Sequence, residues 1–165
     1  MPLINPMTPD ASTTLKGKVE LATQGEFASG VAVQGNDERL GTFSGVNADS
    51  GTIFDGMVIA AHASGIMRAD ADDLTRCAVG LARIGAVIAG TVTGQTSGLL
   101  SLSDWSAVTG TTTLTPQAVY YVSATAGMLT TTAPTGSGKG VQVVGKALTT
   151  TIIAILVADR YKLGD

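Results

Sequence analysis

Leu15, Gly17, Val19 and Leu21 alternate with Lys16, Lys18, Glu20 and Ala22, the period of two that marks a half-buried strand over 15–22. From residue 52 onwards, short apolar runs recur between Gly, Asp, Ser and Pro. They predict strands over 56–61, 66–69, 77–82, 87–92, 98–102, 118–123, 128–132, 141–148 and 152–158. Such spacing, with Thr, Val and Ile enriched, points to an all-β sandwich or barrel of short antiparallel strands. The Thr runs at 111–113, 130–132 and 149–151 suit strands and turns, because β-branched side chains lose χ1 freedom in a helix. Residues 74–89 also fit an amphipathic helix, but Gly80 and Gly85 would each cost it about 1 kcal/mol, so strand is preferred.

Before residue 46 the pattern changes. Residues 1–12 hold Pro2, Pro6 and Pro9 and no period, so they read as an extended arm. Residues 24–28 fit one helical turn, and 30–45 read as loop. The chain thus divides into an N-terminal region over 1–45, which opens with the arm, and a β domain over 46–165. An internal echo suggests related halves, about 52–94 and 98–160. Met57-Val58-Ile59-Ala60, Ser64-Gly65-Ile66-Met67 and Val79-Gly80-Leu81-Ala82 match Val119-Tyr120-Tyr121-Val122, Ala126-Gly127-Met128-Leu129 and Val144-Gly145-Lys146-Ala147. In each hairpin Gly suits a tight turn.

Composition sharpens this. Only 14% of residues are charged, against about 25% in ordinary soluble domains, while 44% are hydrophobic and Gly numbers 21 of 165. The longest apolar runs fall well short of the ~20 residues that span a bilayer, so no membrane is expected. The apolar surplus is expected in a subunit interface, where obligate contacts resemble a core cut in half. Net charge is −3 with no basic run, which argues against nucleic acid as partner. The single Cys77 allows no intrachain disulfide, and the N-terminus shows no signal-peptide pattern, so synthesis in the cytoplasm is expected.

Tempting chemistry fails on its details. Ala133-Pro134-Thr135-Gly136-Ser137-Gly138-Lys139-Gly140 resembles a nucleotide phosphate loop, but Ala133 stands where Gly is needed and Gly140 where Ser or Thr would hold Mg²⁺. A strand, not a helix, is predicted after it. His62 is the sole histidine, and Asp70, Asp72 and Asp73 lack the remaining parts of a calcium loop. No G-x-S-x-G elbow exists. The chain is therefore expected to be no enzyme and to need no cofactor or metal. Trp105 is expected to plug a core or a subunit seam. With Tyr120 and Tyr121 it also forms a candidate glycan platform.

Two segments resemble known families. Thr13-Thr14-Leu15-Lys16-Gly17-Lys18-Val19-Glu20-Leu21-Ala22-Thr23-Gln24-Gly25-Glu26 resembles the T-x-K-G-x-V-x-L-A-T-x-x-E segment of phage tail-fibre proteins, without the Val-Thr-Pro continuation usual there. Residues 56–82 and 105–147 resemble phage capsid decoration (cement) and head-fibre proteins, through S-G-I-M, A-V-G-L-A, L-T-P-Q-A-V-Y-Y-V and V-V-G-K-A. The resemblance implies a structural virion protein on the capsid exterior, a homotrimer or other small oligomer bound to the major capsid protein. On that reading Pro2, Leu3, Ile4 and Pro6 of the arm, and Leu15, Val19 and Leu21 of the attachment segment, make the contacts with the particle. Trp105, Tyr120 and Tyr121 are the candidate interface residues of the β domain. A tail-fibre or baseplate attachment protein and a host-glycan-binding module are the alternatives.

Overall fold

The computed structural model describes residues 41–164. The proline arm, the strand over 15–22 and the helical turn over 24–28 lie outside the described residues, and with them Pro2, Leu3, Ile4, Pro6, Leu15, Val19 and Leu21. The described chain is all-β with antiparallel sheets. Five strands form the first sheet: β1 (Thr42–Val46), β2 (Val58–His62), β3 (Gly65–Arg68), β4 (Ala78–Ile84) and β5 (Thr91–Gln95). They run in the order β1-β5-β4-β2-β3. After Thr96 the pattern begins again. β6 (Ser97–Ser101), β7 (Val119–Val122), β8 (Leu129–Thr130), β10 (Val143–Ala147) and β11 (Ile152–Leu156) form a second sheet in the order β6-β11-β10-β7-β8. Strand for strand, that is the order of the first. A two-stranded ribbon of β9 (Gly140–Val141) and β12 (Tyr161–Lys162) and one helical turn, α1 (Ser106–Thr109), complete the fold.

The repeat extends to irregularities. On β4, Ile59 pairs with Gly80 and Ala60 with Ala78, so Val79 is an extra, bulged residue. On β10, Tyr120 pairs with Gly145 and Tyr121 with Val143, so Val144 is bulged in the same place. The glycine beside each bulge has a common cause. A Cβ on Gly80 would strike the Gln95 carbonyl of β5, and one on Gly145 the Ala154 carbonyl of β11. This register shifts the first two segment pairs of the echo read from sequence by one position, so that Val58 corresponds to Val119 and Ile66 to Leu129, and keeps the third, Gly80 with Gly145. Gly145→Ala is accordingly expected to cost about 1–3 kcal/mol, the scale of overpacking. Denaturant unfolding would read it as a lowered midpoint, and an unchanged midpoint would mean that β11 gives way freely.

Volumes are exchanged between the halves. Phe43 faces Gly94 in the first sheet, where a Cβ would come within 2.5 Å of Phe43 Cζ and 2.6 Å of Ile59 Cδ1. The same pair in the second sheet is Leu100 and Ile153, both buried. A large ring beside no side chain thus replaces two aliphatic residues. The first sheet curls until its edges meet, with Asn47 bridging Ile66 and the Ala48 N–H donating to the Ile66 carbonyl at 2.9 Å. Asn47 and Asp49 hold down the segment that follows. Asn47 Nδ2 donates to the carbonyls of Gly51 (3.0 Å) and Ala86 (2.9 Å). Asp49 accepts from the Arg68 backbone (2.8 Å), Arg68 Nη2 (2.7 Å) and the Ser50 backbone (2.7 Å).

A polar seam joins the halves. Val58 N–H donates to Gly127 O (2.9 Å), Gly127 N–H to Ala69 O (2.7 Å) and Ala71 N–H to Ser123 O (3.0 Å). The buried Gln142 amide satisfies both backbone groups of Ala78, at 2.8 and 3.0 Å, and also the Ala158 carbonyl at 2.9 Å. Arg160 bonds the carbonyls of Asp70 (2.6 Å) and Asp73 (2.9 Å). Around this seam one hydrophobic cluster takes in both sheets.

Candidate assembly surfaces

β11 reads Ile-Ile-Ala-Ile-Leu, apolar on both sides. Alternation sends Ile153 and Ile155 inward, where both are buried, and Ile152, Ala154 and Leu156 outward. Across the sheet Ala154 pairs with Leu99 of β6 on one side and with Lys146 of β10 on the other, and Lys146 pairs with Val119 of β7. The outward face therefore carries Leu99 (59% exposed), Leu156 (61%) and Val119 around one cation, Lys146. Tyr121 belongs to the same face, opposite Thr130.

Of the two edges of that sheet, β6 and β8, the β6 edge is guarded. Gln95 Nε2 donates to the Ser97 carbonyl at 2.8 Å and the Leu99 carbonyl at 3.2 Å, occupying groups that an added strand would use. Beside β6, contact is available through the face rather than the edge.

A second surface lies where the two halves adjoin. A cleft of about 460 Å³ is lined by Phe54, Asp55, Ala86, Val87, Asp104 and Ser106, among others. Phe54 is 51% exposed and Val87 66%, and Ile84 and Ile88, neighbours of Val87 in the chain, are exposed as well. Two carboxylates stand on its walls, each fixed by backbone. Asp55 Oδ1 accepts from the Gly85 N–H at 2.7 Å, and Asp104 Oδ1 from the Ser106 N–H at 2.8 Å. The Ser106 bond holds the Asp104 carboxyl below its ordinary pKa, so it is anionic at neutral pH.

Of the three aromatic residues singled out by sequence, two are inside the chain's own core. Trp105 is fully buried, its Nε1–H donating to the Thr151 carbonyl at 3.1 Å. Tyr120 is buried too, its hydroxyl accepting from the Thr115 N–H at 2.9 Å. Only Tyr121 faces outward, so the three do not form a common platform. Leu99, Leu156, Phe54 and Val87 were not singled out by sequence. The available signal was the unbroken apolar run at 152–158, which leaves one side of a strand too many apolar residues for its own core.

The remaining candidates have structural explanations. Residues 133–139 form a loop that leads into β9 rather than a helix, and Lys139 pairs with Asp72 at 2.9 Å. His62 is exposed at the end of β2, paired with Gly65, and hydrogen-bonds Ser64 of the turn at 2.7 Å. Asp70 and Asp73 accept from the backbone of Asp72 and Thr75, both at 2.9 Å, as turn residues do. No grouping of three or more metal-ligating side chains occurs among the described residues, and no helix there is long and apolar enough to cross a membrane. No protein-family model and no curated protein matches the chain.

Proposed function

We propose that the chain is a structural component of a bacteriophage particle, associating with copies of itself and decorating the outer capsid surface. The observation that carries the self-association is the outward face of the second sheet, with Leu99, Leu156 and Val119 in solvent around a single charge. A contiguous apolar face of this kind is the usual mark of a protein–protein contact. The particle itself enters through the resemblance of 56–82 and 105–147 to capsid decoration and head-fibre proteins, and the arm over 1–12 is the part assigned to grip the shell.

The experiment is cryo-EM of purified particles with and without the protein. Density lost from the outer face of the head supports the reading. Density lost from the tail would transfer the protein to fibre attachment, and an unchanged particle would refute both. Deleting residues 1–12 is expected to abolish attachment while leaving the unfolding midpoint of the β domain in place. Full occupancy of particles by the truncated chain would rule out the arm as the grip.

A further inference from the structure

Two apolar surfaces of opposite charge stand apart on one chain. The outward face of the second sheet has Leu99, Leu156 and Val119 around Lys146, and the cleft has Phe54 and Val87 between Asp55 and Asp104. Neither surface suits a copy of itself. Packing the sheet face against its twin would bring two Lys146 ammonium groups together in a contact stripped of water, and pairing two clefts would do the same with four carboxylates. Like charges so placed repel, and desolvation strengthens the repulsion. Unlike surfaces remove both costs. We propose that the sheet face of one copy docks on the cleft of a second copy, Lys146 against Asp55 and Asp104, with Leu99 and Leu156 covering Phe54 and Val87. This deepens the self-association reading above and rests on it.

Such a contact is heterologous: each copy offers one half and receives the other. It therefore continues from copy to copy until a ring closes. The guarded β6 edge fits this arrangement, since Gln95 already occupies carbonyls there and leaves the face as the means of contact.

The test is the solution mass of the full chain and of two variants, Leu99→Asp and Val87→Asp. Both positions lie in solvent, at 59% and 66% exposure, so unfolding midpoints near that of the parent serve as the folding control. The parent is expected to be a closed oligomer and each variant alone a monomer. Mixed in equal amounts, they are expected to give a one-to-one dimer and nothing larger, because each retains the surface that the other has lost. Lys146→Glu is expected to break the oligomer, and Lys146→Glu combined with Asp104→Lys to restore it.

A variant that keeps the parent's mass would overturn the proposal, as would a mixture that stays monomeric. A parent chain monomeric throughout would overturn it too. If the variants keep the parent's mass but lose occupancy on particles, the surfaces belong to the shell. The head-to-tail contact then fails while the decoration reading stands.

Discussion

Trp105→Ala is expected to lower the stability of the chain by about 3–5 kcal/mol, the range for emptying a buried aromatic site. The ring is fully buried, and its N–H reaches the Thr151 carbonyl at 3.1 Å. It also lies against the first half: a Cβ on Gly56 would come within 3.1 Å of Trp105 Cζ3 and 3.2 Å of Val108 Cγ2. Truncation therefore opens a cavity at the place where both halves contribute to one core, and leaves the Thr151 carbonyl with the Leu102 N–H (3.0 Å) as its remaining donor. Trp105→Phe should recover most of the loss, because it refills much of the volume and forfeits mainly the hydrogen bond, worth about 1 kcal/mol. Denaturant unfolding measures both. A loss below about 1 kcal/mol for the alanine variant would mean that neighbouring side chains close the space.

The second large effect is at Asp49. Burial by itself would raise its pKa, but hydrogen bonds from the Arg68 side chain and backbone, with the charge of Arg68, outweigh burial and hold the carboxyl well below the usual carboxylate range. The folded-state pKa is thus depressed. Its contribution to stability is present in full above the unfolded value of about 3.9 and is lost as pH falls from there towards the folded value. The parent chain should therefore lose melting temperature below about pH 4 more steeply than Asp49→Asn, the two curves converging in acid. At neutral pH, Asp49→Ala should cost about 3 kcal/mol, the scale for breaking a buried pair by removing one partner. It leaves Arg68 without the Asp49 carboxylate and the segment after β1 held by Asn47 alone of its two anchoring side chains. Parallel pH curves for parent and Asp49→Asn would show that Asp49 titrates alike in the folded and unfolded chains.

The strand class was legible because short apolar runs and turn residues are local properties. Val58–His62, Val119–Val122 and Ile152–Leu156 all fall close to where those runs place them. Two errors share a cause. The strand expected over 87–92 is Thr91–Gln95, since Val87 and Ile88 are exposed in a turn closed by Ala89 at φ 63°. Those apolar residues belong to a surface, and hydrophobicity alone does not distinguish surface from core. Conversely, Thr42–Val46 lies in a stretch read as loop. Thr42, Ser44 and Gly45 break up its apolar pattern, leaving Phe43 and Val46 too few to mark a strand whose pairing is supplied by β5. The assembly surfaces were legible only as a surplus. Which apolar residues face outward depends on the register of β10 with β7 and β11, and a bulge at Val144 resets that register. Gln142 gave no sign of its role, since its partners at Ala78 and Ala158 become neighbours only in the folded chain.

The seam sets an order of events during synthesis. Among the described residues every pairing in the first sheet lies between Thr42 and Gln95, so those strands are all present before Ser97 is made. Yet the Val58 N–H, the Ala69 carbonyl and both backbone groups of Ala78 take their partners from Ser123–Gln142, which leaves the ribosome later. The early half must wait with these groups hydrated, and its contacts with Trp105 are still missing. Refolding of the whole chain should therefore show fast collapse within each half, where contacts are nearest in sequence, and a slower phase as the seam closes. The interval before Gln142 arrives is when the nascent first half is most open to mispairing with its neighbours.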